Sequence, residues 1–513
     1  MDQPTRPRPV DPFALKNPFL AQSYRVKNIR SLSDALLLMP APCLPFMPEW
    51  EEMYWRAWGM AWSNLRRPST ASGFISNYLN AIGSNYLQLW DAALCTQFGL
   101  YGRRAFDFMG ALDNFYVKQH GDGFICREIN SENGLDCYHP FDPNSSGPNI
   151  TTWVEWRYYR LTGDDSRFPD VFWPLVAHHN WIRANRSWPN GLYWATSLSS
   201  GMFNQNRVPG GLHHHRHWSW VDATMQASLN TRNLAQMAVA LGENRAAEKL
   251  REEHNELVQA ANEHLWNEDM GFYQDVDPKG HFSGVKSIGA YWSLLDPEMV
   301  MNDRLEPFLL HLRDPFSFKR PHRAPSLAAN DNDYVKEDGE FWRGGVWAPA
   351  NYMLLKGLRV SGQHKLAHEI AINHLAQVCK VFERTDTFWE YYQPESAAPG
   401  SKAKANFVGW TGLSAIAMLI EDVIGIQVDW PKRQVVWDRR LDTDEPYGLR
   451  NFPLGRDGIL SLIGDNERFL VKSTVPFTLI IQEDEKKLQT ALTAGETEIP
   501  RKGAILGLKN GGL

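Results

Sequence analysis

The feature that most constrains this chain is a helix-period pattern of apolar residues that recurs from about residue 50 to about residue 425. Apolar side chains fall at three- and four-residue spacing in 50–64, 74–82, 86–99, 103–118, 149–162 and 168–184. The same spacing returns in 220–242, 245–265, 300–313, 346–360, 364–382 and 407–424. Polar connections rich in Gly, Pro, Asn and Asp separate these segments, as at Gly121-Asp122-Gly123 and Trp188-Pro189-Asn190-Gly191. About twelve helices result, enough for six hairpins closed in a ring. The expected fold is therefore mainly α, an (α/α)6 barrel over residues 31–427. No repeat of fixed period marks the closure itself.

The texture changes after Trp430. Short runs at 434–437, 458–463, 468–475, 477–481 and 487–492 alternate in polarity or carry β-branched residues, with Gly, Asp and Pro between them. They predict a small C-terminal antiparallel β domain over 428–513. Residues 1–30 are Pro-rich, show no period, and read as an N-terminal arm.

Several function classes fall away on composition. A net charge of −6 gives no basic footprint for nucleic acid. No apolar run approaches the roughly 20 residues of a membrane span. Cys43, Cys95, Cys126, Cys137 and Cys379 are scattered and form no C-x-x-C pair, so neither a disulfide framework nor a structural zinc site is expected. Reduced thiols, and no apolar signal core in residues 1–17, make a cytoplasmic protein the simplest reading.

Tryptophan is the compositional outlier, at 21 copies. Most serve as core filling, but those in loops can cover the C–H face of a pyranose. Phe388-Trp389-Glu390-Tyr391-Tyr392-Gln393-Pro394 sets a glutamate among aromatic rings. Partial desolvation there raises a carboxyl pKa, which suits acid–base work. Trp342-Arg343-Gly344-Gly345-Val346-Trp347, with Glu340 just before it, has two glycines that admit close backbone approach between rings able to wall a subsite. Trp90-Asp91 opens a helix, where Asp91 either favours the helix dipole or accepts sugar hydroxyls. Arg127-Glu128 is either a structural ion pair or a fork for sugar hydroxyls. A polar loop, Ser199 to Arg207, contains Asn204 and leads to the His213–His217 run and then Asp222, a first-turn acid. Adjacent histidines do not converge easily on one ion, and no metal is expected.

Taken in order, these segments resemble the trehalase-like clan of inverting α-glycosidases, with glycoside hydrolase family 63 nearest. The carrying pieces are Trp90-Asp91, Gly147-Pro148-Asn149, Ser200-Gly201-Met202, Val221-Asp222, Trp342-Arg343-Gly344 with Asn351-Tyr352, and Glu390-Tyr391 with Trp410-Thr411. They span roughly residues 85–425. The resemblance implies the (α/α)6 barrel, a small carbohydrate substrate and no cofactor. It also implies two carboxyl groups, one protonating the leaving oxygen and one activating water on the opposite face.

The family's base falls on Glu390, while its acid, the aspartate after Ser-Gly-Met, is replaced here by Phe203. Either another carboxylate serves, with Asp222 provisionally and Glu340 next, or the protein binds sugar without cleaving it, or the acid lies elsewhere. The expectation is an exo-acting, inverting hydrolase of α-linked glucosides or related small oligosaccharides. Trp90, Asp91, Arg127, Glu128, Asn204, Arg207, Glu340, Trp342, Arg343, Trp347 and Trp410 line its subsites. The rivals are a carbohydrate-binding protein on the same barrel and, because of the histidines, a sugar epimerase.

Overall fold

A computed structural model of the chain describes residues 9–501 apart from Ile82, Ser84 and Glu485. Residues 1–8 of the arm, 502–513 of the expected β domain, and Ile82 in the expected 74–82 helix lie outside the described residues.

Among the described residues eleven α-helices follow in order: α1 (Leu32–Leu36), α2 (Pro48–Ser63), α3 (Leu89–Gly99), α4 (Gly110–Tyr116), α5 (Thr151–Thr162), α6 (Phe168–Arg186), α7 (Val221–Leu241), α8 (Asn244–His264), α9 (Asn302–Arg313), α10 (Ala348–Val360) and α11 (His364–Thr385). A 3-10 helix, Ile288–Leu295, and a π-wound helix, Leu413–Ile424, join them. Six of these helices form an inner ring. Going round it, α3 packs on α5, α5 on α7, α7 on Ile288–Leu295, that helix on α10, α10 on Leu413–Ile424, and that helix back on α3. Outside, α4 lies on α3, both α6 and α8 on α7, α11 on α10, and α2 on Leu413–Ile424. On α9, Phe308 stacks on Tyr291 of the 3-10 helix, with centroids 4.3 Å apart.

The sequence dictates which helices go inside. Every residue of Leu413–Ile424 is buried, as is α10 from Ala348 to Leu358, because these helices are apolar on most sides and their charged residues Lys356, Glu421 and Asp422 pair with one another. In contrast, α8 buries a stripe, including Ala247, Leu250, His254, Leu257 and Ala261, and exposes charged residues elsewhere. Gly242 ends α7 in the left-handed region at φ 73°, which a glycine adopts without steric cost.

Two expectations about the helices are corrected. Within 74–82, the described residues form irregular backbone with a bend at Ser76 and a short strand, Tyr78–Leu79, paired with Leu65–Arg66. The apolar spacing there is real, but the Asn114 carboxamide oxygen accepts the backbone N–H groups of Ile75 and Ser76, which draws them away from a helical ladder. Ile288–Leu295, which has no polar period to announce it, takes the vacant place in the ring.

At the C-terminal end, Ala41–Cys43, Tyr447–Leu454, Gly458–Gly464, Arg468–Ser473 and Gly495–Pro500 form an antiparallel sheet in that order. A second sheet runs Lys486–Leu492, Phe477–Glu483, Gln434–Asp438, Ile426–Asp429. Its central pair, Phe477–Glu483 and Gln434–Asp438, is parallel, so the purely antiparallel expectation is corrected there. A buried ionic network ties helices and sheet together. Lys356 of α10 reaches Glu421 at 2.5 Å and Asp422 at 3.0 Å, and Arg359 joins Asp422 to Asp438. Among the described residues no helix is long and apolar enough to cross a membrane.

Candidate active site

The segments singled out by sequence gather at the N-terminal ends of the inner helices. Asp91 and Asp222 lie in the first turns of α3 and α7, Trp347 caps α10, and Trp410 and Thr411 come just before Leu413–Ile424. Helix dipoles place positive potential at this end, which favours carboxylates and polar ligands.

Glu390 sits on the loop after α11. Reciprocal hydrogen bonds of 2.8 and 3.0 Å between Val346 and Tyr392 fasten this loop to the one before α10. The Glu390 N–H donates to the Lys404 carbonyl at 2.9 Å, and the Trp410 indole donates to the Glu390 carbonyl at 3.1 Å. Burial pushes the Glu390 carboxyl above its ordinary pKa, and the Lys404 N–H and ammonium offset part of that rise.

Four rings build a wall beside it. Trp342 stacks on Trp347 at 4.1 Å, Trp347 stacks on Tyr391 at 4.7 Å, and Trp410 lies 6.0 Å from Trp347. The wall requires Gly345, since a Cβ there would stand 2.2 Å from the Phe341 carbonyl oxygen and 2.8 Å from the Tyr391 ring. The Asn204 carboxamide fixes the turn. It donates to the Glu340 carbonyl at 2.7 Å and accepts from the Trp342 N–H at 2.9 Å. Glu340 itself bridges Lys402 at 2.5 Å and Arg343 at 3.1 Å. The Lys402 hydrogen bond is the main reason its carboxyl stays below the usual range.

Asp91 faces a small cavity lined also by Gln88, Cys95, Phe407 and Trp410. Both its carboxylate oxygens are buried and accept no hydrogen bond. Burial raises its pKa well above the ordinary value, Arg127 opposes the rise, and Glu390 and Glu128 add to it. Arg127 donates to the Leu198 carbonyl at 2.6 Å, and Glu128 accepts from Gln88 at 3.1 Å. Trp90 is not among the residues that line this cavity and packs on Trp292, with centroids 5.8 Å apart.

Asp222 and Arg207 belong to a second cluster. They pair at 2.5 Å with side chains 1% exposed, and Asp275 approaches Arg207 at 3.5 Å. The guanidinium lies 4.6 Å from the Trp220 ring centroid. Burial pushes Asp275 up to about 6 despite Arg207. Asp222 thus pairs with a buried arginine through one carboxylate oxygen. Its second oxygen has no partner and borders a polar cavity with Asn149 and Gln226.

Sequence reasoning singled out neither Phe341 nor Lys402 and Lys404, and it used Tyr391 only as a flank. Tyr391 was legible from the aromatic run, whereas the lysines sit in an ordinary polar loop. The histidines pack among themselves and on tryptophans, as in the 4.4 Å contact of His215 with Trp194. Among the described residues no group of three or more His, Cys, Asp or Glu is placed to hold a metal ion.

The model of the mannosylglycerate hydrolase MGH1-like glycoside hydrolase domain matches residues 86–411. An uncharacterized protein of Borreliella burgdorferi is 23% identical over 384 residues, 73% of this chain and 78% of the relative. A probable mannosyl-oligosaccharide glucosidase of Schizosaccharomyces pombe is 25% identical over 276 residues, 48% of this chain, and the match spans only 33% of that relative's length. The GH63 mannosylglycerate hydrolase from Thermus thermophilus, solved in complex with glucose, superposes with a TM-score of 0.58 at 19% identity, covering 71% of this chain and 99% of that one.

Proposed function

The chain belongs to the mannosylglycerate hydrolase MGH1-like glycoside hydrolase family and is a glycosidase, and on that premise we propose an exo-acting, inverting enzyme that cleaves α-linked glucosides or related small oligosaccharides. The observation that carries this reading is Glu390, a partly desolvated carboxyl of raised pKa beside the Trp342–Trp347–Tyr391 stack. Glu390 is the general base, drawing a proton from the water that attacks the anomeric carbon.

The closed helix ring is read as an (α/α)6 barrel over residues 31–427, preceded by an arm over 1–30 and followed by the β unit of 428–513. Asp91, Arg127, Glu128 and Trp410 bind the glycone, with Trp342, Trp347, Arg343, Asn204 and Glu340 shaping the wall and rim. Asp222, the first choice for acid from the sequence, is assigned the positioning of Arg207 instead, because it is shut from solvent and already paired. Trp90 supports Asp91 from within the ring. No cofactor enters the reaction.

The test is a panel of α-linked disaccharides and aryl α-glycosides followed by proton NMR. The initial product is expected in the β configuration. Glu390→Gln should remove nearly all turnover while keeping the fold, and full activity in that variant would sink the assignment. Phe203 favours one rival, a carbohydrate-binding protein on the same ring. Binding without release of any sugar across the panel would establish that rival.

A further inference from the structure

We infer that this site supplies no proton to the leaving group, so that among its glycoside substrates those whose leaving group departs as a stable anion are cleaved far faster than those that release an alcohol. The inference rests on the proposed role of Glu390 and concerns the other half of the reaction.

It follows from an inventory of the groups around that carboxyl. Phe203 packs on Phe341 at 5.2 Å, and Phe341 packs on Tyr391 at 5.3 Å, so an apolar row leads away from Glu390. Asn204, next to Phe203, spends its carboxamide on the Glu340 and Trp342 backbone. Glu340 is held as a carboxylate by Lys402 and Arg343. Asp222 is locked to Arg207. Asp91 is the one carboxyl in this group with neither oxygen hydrogen-bonded, but both oxygens are buried in a small cavity lined by Gln88, Cys95, Phe407 and Trp410, the place assigned above to the glycone and not to the leaving group.

The apolar row has a cation beside it. The Lys402 ammonium lies 5.8 Å from the Phe341 ring centroid and is already paired with Glu340 at 2.5 Å. In the step, Glu390 takes a proton from water as the water oxygen bonds to the anomeric carbon. The bond from that carbon to the leaving group breaks, and the group keeps the electron pair. Phenolate, carboxylate, phosphate and fluoride leave readily in this way, whereas an alkoxide, the leaving group of an oligosaccharide, leaves slowly.

The experiment uses the glycone identified by the product panel, as its α-glycosyl fluoride, its 4-nitrophenyl α-glycoside and its methyl α-glycoside. For the wild type, kcat/KM should fall from fluoride to methyl glycoside by at least the factor on the order of 10²–10⁴ that a general acid supplies. Phe203→Asp should raise methyl glycoside cleavage by about 10²-fold or more and add a basic limb to the pH profile. It should leave fluoride cleavage unimproved. Phe203→Asn, which carries no transferable proton, should gain nothing. Wild-type cleavage of the methyl glycoside within about tenfold of the fluoride overturns the inference and turns attention to Asp91. So does a folded Phe203→Asp with no gain on the methyl glycoside. Fluoride hydrolysis that survives Glu390→Gln would instead remove the premise about the base.

Discussion

The indole of Trp347 lies flat on that of Trp342, with centroids 4.1 Å apart and planes within 1° of parallel. On its other side Trp347 stacks on Tyr391, and its indole N–H donates to the Phe341 carbonyl at 2.9 Å. One side chain thus sets the spacing between the loop before α10 and the loop that carries Glu390. Trp347→Ala should destabilise the protein by about 3–5 kcal/mol, the usual cost of deleting a buried aromatic side chain. It should also lower kcat/KM by more than the stability loss explains, because the Glu390 loop loses its support. Thermal unfolding and kinetics on one preparation would check both. An unchanged kcat/KM in a folded variant would separate the stack from the site.

The glycine beneath this stack is equally constrained. Gly345→Ala places a methyl group 2.2 Å from the Phe341 carbonyl oxygen, a backbone atom that cannot swing aside. Either the turn or the Tyr391 ring must shift. The expected result is a folded protein with activity reduced at least tenfold, since a small displacement of positioned groups costs on the order of 10²-fold. Near-ultraviolet circular dichroism would report the disturbed indoles, and wild-type spectra with wild-type rates would refute the constraint.

Glu390 gives a prediction in pH. Its carboxyl titrates above the ordinary glutamate value of 4.5, with burial the larger cause and Lys404 the moderating one. A general base works only when deprotonated, so the acidic limb of kcat/KM should lie above that value. Lys404→Met removes a charge that favours the carboxylate and should move the limb to still higher pH. A limb that stays put, or moves down, would show that Lys404 does not face the base.

The helices were legible because most of them carry apolar residues at three- and four-residue spacing. Ile288–Leu295 escaped because it is short and apolar throughout, so nothing distinguishes its faces. The strand Tyr447–Leu454 escaped for a different reason. Its register shifts between Leu449 and Phe452, and Asn451 stands at φ 59°, which breaks the alternation. Gly495–Pro500 is a polar edge strand with no buried face to read. At the site, Glu390 and the tryptophans were legible from residue type and neighbours. The Asp222–Arg207–Asp275 cluster and the isolation of Asp91 depend on contacts between distant segments, and no local pattern encodes them.

Asp222 offers a way to tell positioning from proton transfer. The Arg207 guanidinium is 1% exposed, and Asp222 and Asp275 supply its anionic partners. Asp222→Asn leaves a buried charge short of a partner, a change that costs about 3–5 kcal/mol when such a pair is broken. If Asp222 positions Arg207, cleavage of the glycosyl fluoride and of the aryl glycoside should fall together. A fall confined to the poorer leaving group would restore Asp222 as the acid.

The network under the ring makes the last prediction. Burial alone would raise the Glu421 carboxyl, but Lys356 and Arg157 outweigh it and hold the group below the ordinary glutamate range. A carboxyl lowered in the folded state adds stability above its unfolded pKa and loses it as pH falls through the folded one. Lys356→Met should cost about 3–5 kcal/mol at neutral pH, since Glu421 and Asp422 then lose a buried cation. The folded-state pKa of Glu421 rises in the variant, so its stability falls less steeply on acidification. The gap between wild type and variant should therefore be widest near neutrality and narrow as pH falls toward about 2, the value to which the folded wild type holds Glu421. Urea unfolding across that range measures the gap directly. A constant gap would mean that Lys356 contributes packing and not charge.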